Sequence, residues 1–337
     1  MNKILVIDNF KIFEKWASKT YEYKIQSLKK SKKFTVLNID EIDSDSIYDN
    51  YDNIILGWNM CYYSKYYTLK NGFYKKKIKN LEDYESIVRK TENILKHKNK
   101  YLIVQDFINS DDYENGLDSL LSYLETYDFK GIITPYLNTD AMKPLRTNLP
   151  NIKFIHLHHH IDETKFTNGG NDKIYDIFIY GNCKGNRYPF RNRVLKILKE
   201  MEQDNEYNIL FWNDLMSKNY FRFKSQISNN ELSNKINQSW LTVCTKSYAN
   251  ILVGKYIETS MSNSCVLGNI PTDGIKIWNN NYVKITENMS DKEIVLVIKD
   301  ALKNKDLLQE NIDIMNKKME SFYLSKYANK LYKKIRN

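Results

Sequence analysis

Short apolar runs alternate with longer amphipathic stretches along most of this 337-residue chain. Residues 3–7 hold such a run, which ends in the polar pair Asp8-Asn9, and similar runs recur at 34–39, 53–58, 101–106 and 131–136. A strand covered on both faces reads this way, whereas the segments near 10–30, 82–97 and 112–127 carry apolar residues at helical spacing. Strands separated by helices of this length predict βαβ units and a parallel sheet with helices on both faces.

After Ile152–Leu157 the alternation breaks. Residues 158–172 contain three histidines, two glycines and several polar side chains, a composition that suits a hinge. The alternation then restarts, with strands expected at 175–180, 207–212, 240–244 and 265–270. Helices are expected near 189–204, 229–238, 249–262, 290–303, 307–320 and 324–335. The length also favours two domains. The reading is an α/β protein of two doubly wound, Rossmann-like domains facing a central cleft, with ligands at strand C-termini. The expected boundaries are 1–157, a hinge at 158–172, 173–320, and a last helix at 321–337.

Composition narrows the class. Hydrophobic residues make up 42% of the chain, enough for packed cores, so a mainly disordered chain is excluded. No apolar run reaches the roughly 18 residues of a membrane span, and the first residues turn acidic too soon for a signal peptide. Cys61, Cys183, Cys244 and Cys265 lie far apart with no C-x-x-C pair, which points to a reducing, cytoplasmic setting and to neither a zinc ribbon nor a disulfide scaffold. The formal net charge of +10 favours anionic partners. Its lysines are spread along the whole chain, however, so a duplex-DNA footprint is not expected. Arginine is scarce, and three of the seven fall at 187, 191 and 193.

Those arginines follow the loop Gly181-Asn182-Cys183-Lys184-Gly185-Asn186, which links a strand to a helix. Backbone N–H groups and the helix N-terminus there suit a phosphate, and a guanidinium can grip one with two prongs. Arg187 and Arg191 are expected on one helix face; ordinary surface salt bridges are the competing reading. Lys255 and Glu258 are three residues apart on another helix. A carboxylate there can accept both hydroxyls of a ribose and the lysine can neutralise a diphosphate, while a surface ion pair is the plainer alternative.

Taken together, these segments resemble the GT-B superfamily of nucleotide-sugar glycosyltransferases, and within it the family-1-like C-terminal domains. The resemblance runs over about residues 100–335. It rests on Phe154-Ile155-His156 through His160-Ile161-Asp162 and Phe166, on Tyr175–Asn182, on Tyr188-Pro189-Phe190-Arg191, on Lys255–Glu258 and on Val266–Pro271. It implies that Glu258 holds the donor ribose, that Gly181 and Asn182 lie under the donor phosphates, and that Arg187 and Lys255 are the cations. It also implies that the last helix crosses back to the first domain, and that neither metal nor other cofactor is needed beyond the nucleotide-diphosphate sugar. One departure is Asn250, where many retaining members carry an acid eight positions before the ribose carboxylate.

An inverting enzyme also needs a base to deprotonate the acceptor hydroxyl. The candidates are His158 and His160 in the hinge and Asp106 at a strand end. Trp212 and Asn213, just past another strand end, are candidates for stacking on or bonding the donor base; Trp58 occupies a similar place. The function expected is transfer of a sugar from a nucleotide-diphosphate sugar to a hydroxyl on a glycan, a lipid-linked sugar, a protein or a small molecule. The alternatives are a nucleic-acid-binding or DNA-modifying protein on the same fold, and an inactive structural subunit. The sequence leaves the sugar, the nucleobase, the stereochemistry and the oligomeric state open.

Overall fold

The computed structural model describes residues 4–9, 19–42, 45–57, 60, 81–104, 113–136, 139–183, 187–212 and 228–337. Asp106, Asn213, Trp58 and Cys61 lie outside the described residues. By its internal contacts the chain divides into two units, Met1–His158 with Leu324–Asn337, and His159–Tyr323.

The first unit holds a six-stranded, all-parallel sheet of β1 (Ile4–Asp8), β2 (Phe34–Asn38), β3 (Ile54–Leu56), β4 (Lys100–Ile103), β5 (Gly131–Thr134) and β6 (Lys153–His156). The strand order is β2-β1-β3-β4-β5-β6, so chain direction across the sheet reverses at β1. Every residue of β1, β3, β4 and β5 is buried, which is why these strands read as unbroken apolar runs. Helices α1 (Lys19–Lys29), α2 (Leu81–Leu95), α3 (Tyr113–Thr126) and the short α4 (Lys143–Asn148) belong to this unit. Residues of α1, β1, β6 and the C-terminal helix α11 (Tyr327–Arg336) share one core cluster.

The second unit holds a five-stranded parallel sheet of β7 (Tyr175–Ile179), β8 (Ile209–Phe211), β9 (Ser239–Cys244), β10 (Cys265–Gly268) and β11 (Val283–Lys284), in the order β11-β10-β9-β7-β8. The reversal here lies between β7 and β9. Its helices are α5 (Pro189–Gln203), α6 (Asn229–Asn237), α7 (Gly254–Met261), α8 (Ile275–Trp278), α9 (Asp291–Lys303) and α10 (Lys305–Met319). Within the stretch expected as a hinge, Ile161 and Phe166 are buried in this unit's core, beside Trp212, Tyr256 and Trp278. Both units are doubly wound. Among the described residues no helix is long and apolar enough to cross a membrane.

The helix boundaries have local causes. Ser290 caps α9: its hydroxyl accepts from the Glu293 N–H at 3.3 Å, and Glu293 accepts from the Ser290 N–H at 2.6 Å. The helix expected near 249–262 begins only at Gly254, because Asn250 takes a left-handed φ of 55° and Val253 is extended. Asn250 holds that turn by donating to the Thr272 hydroxyl at 2.7 Å and accepting from the Thr272 N–H at 3.2 Å.

Candidate functional site

In an open doubly wound sheet, ligands bind beyond the strand C-termini where the strand order reverses. In the second unit that point lies between β7 and β9. The chain leaves β7 through Tyr180, Gly181 and Asn182, and leaves β9 through Thr245 and Lys246 towards α7. Three ionisable side chains converge there. Lys255, in the first turn of α7, is buried; its Nζ donates to the Tyr180 carbonyl at 2.5 Å and lies 3.7 Å from the centroid of the Tyr180 ring. Glu258, one turn along, accepts from the Tyr180 hydroxyl at 3.3 Å through Oε2. Arg191, on α5, is 3% exposed and is held by the Asn182 carbonyl and by the hydroxyl and carbonyl of Thr245, at 3.2–3.3 Å.

Gly181 sits at the centre of this group with a φ of 89°, which L side chains rarely adopt. A Cβ there would lie 3.2 Å from Arg191 Nη1 and 3.7 Å from Lys255 Nζ. A side chain at this position would therefore crowd both cations. Gly254, at the start of α7, leaves comparable room 3.5 Å from Glu258 Oε1.

Packing tunes these groups. Burial, reinforced by the Arg191 charge, lowers the Lys255 pKa to about 7. Protein atoms crowd the Glu258 carboxylate although part of the residue remains open, and burial pushes its pKa up to about 7; the Tyr180 bond and Lys255 oppose this. Burial and the Glu258 charge drive the Tyr180 hydroxyl well above its usual range, so it keeps its proton and donates. The surface ion pair weighed for Lys255 and Glu258 is therefore not what the fold builds. Two poorly solvated ionisable groups stand on either side of Tyr180.

The helix face expected to be shared by Arg187 and Arg191 is not formed, because Arg187 precedes α5, which begins at Pro189. Arg187 is half-buried and its carbonyl accepts from the Tyr248 N–H at 3.0 Å. Arg191 is the guanidinium beside Gly181. In the sequence its signal was the surrounding Tyr188-Pro189-Phe190: Pro189 opens the helix, and the Tyr188 ring stacks on the guanidinium at 3.9 Å. Arg193 instead staples another part of the unit, donating to Asp291 and to the carbonyls of Glu287 and Met289.

Trp212 is 7% exposed and packs 5.6 Å from the Phe178 ring, so its face is spent on the core rather than offered to a nucleobase. The hinge histidines are not an exposed row. His158, in the first unit, stacks edge-on against His156 at 4.2 Å; burial together with His156, Lys330 and Lys334 lowers its pKa to about 3. Such a ring has little affinity for a proton at neutral pH. His160, in the second unit, is buried 6.3 Å from the Phe322 ring.

The first unit carries a group that the sequence shows only as the polar end of an apolar run. Asp8, at the C-terminal end of β1 where strand order reverses, is fully buried. It accepts from the Tyr21 hydroxyl at 2.6 Å and from the Asn9 N–H at 2.8 Å. Gly57, past the end of β3, makes room for it: a Cβ at position 57 would fall 1.8 Å from Asp8 Oδ2. The available signal was a carboxylate ending an apolar strand. Among the described residues no cluster of three or more His, Cys, Asp or Glu is placed to hold a metal ion.

No protein-family model matches the chain, and no curated protein sequence matches it significantly. Solved structures do match. The N-terminal domain of Candida albicans trehalose-6-phosphate phosphatase aligns with a TM-score of 0.57 at 11% identity, covering 100% of this chain and 97% of that one. HepE of Anabaena, solved in complex with UDP, aligns at 0.57 with 9% identity and 98% of both chains covered. Sucrose-phosphate synthase of Thermosynechococcus elongatus aligns at 0.56 with 9% identity, covering 100% and 98%. Likeness at these identities defines the fold. The chain has the GT-B fold of nucleotide-sugar glycosyltransferases, with two Rossmann-like units.

Proposed function

We propose that this protein is a glycosyltransferase that moves a sugar from a nucleotide-diphosphate sugar to a hydroxyl acceptor. The observation that carries the reading is the convergence of Lys255 and Arg191 beside Gly181, with Glu258 on the hydroxyl of the adjoining Tyr180, at the switch point of the second unit. In such a transfer the bond from the anomeric carbon to the diphosphate oxygen breaks, the acceptor oxygen bonds to that carbon, and the acceptor proton leaves to a base. Negative charge builds on the departing diphosphate while the sugar becomes oxocarbenium-like. Lys255, Arg191 and the first N–H groups of α7 would stabilise that charge without reorganising. Glu258 would accept both hydroxyls of the donor ribose.

The acceptor side falls to the first unit in this reading. For the acceptor proton the first unit offers Asp8, whose carboxylate Tyr21 orients at the end of β1, while burial and neighbouring cations hold the His158 pKa low. A nucleotide-binding subunit without transferase activity is the second reading, favoured by Asn250: it stands where, by the resemblance, many retaining members of the superfamily carry an acid, and its amide is committed to Thr272. Calorimetry or thermal shift with UDP, GDP, ADP and CMP, followed by release of free sugar from the matching donor, separates the two. A nucleotide at one hundred times its dissociation constant adds about 2.7 kcal/mol of stability. Binding with donor turnover supports transfer, and binding without it supports the second reading. The absence of binding by any nucleotide overturns both.

A further inference from the structure

Two segments far apart in the sequence, residues 24–33 and 324–337, hold ten of the chain's 51 lysines and arginines and none of its 41 aspartates and glutamates. Their surplus equals the whole formal charge of +10, so the rest of the chain is balanced. The even spread of lysines seen along the sequence hides this, because elsewhere acids accompany them.

The first unit packs the two segments together. Ser27 donates to the Leu324 carbonyl at 3.0 Å, and Lys33 Nζ donates to Asn329 Oδ1 at 2.7 Å. The Phe34 and Tyr332 rings meet edge-on, 6.2 Å apart. Helix α11 turns Tyr327, Ala328, Leu331, Tyr332 and Ile335 into the core. That leaves Lys333, Lys334 and Arg336 exposed on α11, beside the exposed Lys30 and Lys32. Lys33 Nζ and the Arg336 guanidinium lie 4.9 and 5.6 Å from the same Tyr332 ring, so like charges are held close. Lys330 feels the crowding: burial, then Lys326 and Lys334, lower its pKa. The nearest acids in sequence, Glu22 and Glu320, lie outside both segments.

We propose that this face of the first unit docks on an anionic lipid bilayer surface. A dense lysine surface suits the diffuse negative potential of a leaflet, to which each nearby Lys or Arg adds about 1 kcal/mol, about fivefold in partitioning. Readout of nucleic acid fits less well: single strands are bound by stacking on exposed rings, and both tyrosines of α11 are buried. With the apolar side of the helix spent on the core, attachment is electrostatic and superficial rather than inserted.

The test is co-sedimentation of the full chain with phosphatidylcholine vesicles with and without phosphatidylglycerol. At about 0.15 M salt the protein is expected on the anionic vesicles only, and added salt releases it. Replacing Lys30, Lys32, Lys333 and Lys334 together by Glu should reduce partitioning by at least about a hundredfold. Replacing the same four by Arg should preserve binding, which shows that charge is what the surface reads, and a native circular dichroism spectrum and melting temperature of the Glu variant separate lost binding from unfolding. As a control, Glu at the exposed Lys284, Lys292, Lys303 and Lys317 of the second unit should leave much of the binding intact. Equal losses in the two Glu variants would assign the effect to net charge and overturn the proposal. Failure of the native protein to bind anionic vesicles would overturn it too, as would a duplex or RNA oligonucleotide binding where vesicles do not compete.

Discussion

The Tyr180 hydroxyl lies 3.3 Å from the Glu258 carboxylate, and this contact joins the end of β7 to α7 across the switch point of the second sheet. The same tyrosine offers its carbonyl and ring to Lys255. One side chain thus holds the candidate ribose acceptor and the candidate phosphate cation in register. Neither group is paired with the other by a short contact; Tyr180 stands between them.

Glu258 makes stability and ligand affinity depend on pH in opposite directions. Its folded pKa of about 7 exceeds the ordinary 4.5, so between these values the folded state binds more protons than the unfolded one. The stabilising protonation is complete below about pH 4.5 and is lost as pH rises through about 7. Glu258→Gln removes the ionisation. Its melting temperature should match the native value near pH 5 and exceed it by a few degrees at pH 8. Nucleotide affinity should fall about tenfold or more in the variant, and the decline in native affinity below pH 7 should disappear. Calorimetry across pH checks this; an unchanged affinity would remove Glu258 from the donor site.

Lys255 has the reverse linkage. Its pKa is lowered from 10.5 to about 7, so the folded state binds fewer protons across that window and native stability rises with pH through it. A diphosphate placed beside Nζ restores the charged form. Binding of a nucleoside diphosphate near pH 8 should therefore take up a proton, visible as a dependence of the calorimetric heat on buffer ionisation. Lys255→Met should abolish that uptake and weaken the diphosphate about tenfold or more, while a nucleoside without phosphate binds as before.

Asp8 and Gly57 form a matched pair in the first unit. Gly57→Ala places a methyl group against a buried carboxylate, and a cost of about 1–3 kcal/mol is expected in denaturant unfolding. Asp8→Asn keeps the shape and the Tyr21 contact, so fold and nucleotide affinity should persist while transfer to the acceptor falls by about a hundredfold or more. Transfer at the native rate would exclude Asp8 as the base.

The apolar runs at 4–7, 54–56, 101–103 and 131–134 announced a parallel sheet because each strand is buried on both faces, and burial is written directly into residue type. The loop at Gly181 was legible for a similar reason, since it belongs to one strand-loop-helix unit, whereas the spacing of Lys255 and Glu258 suited a surface ion pair equally well and only the resemblance singled them out. Folding alone decided which arginine joins them. Arg187 and Arg191 are equivalent in charge, but Pro189 starts the helix between them and aims only the second at Gly181. Folding likewise buried Trp212, His159 and His160. The grouping of residues 24–33 with 324–337 is of the same kind, because nothing local in either segment specifies its partner. Contacts between residues about three hundred positions apart depend on two helices sharing one sheet face, and that depends on the packed core.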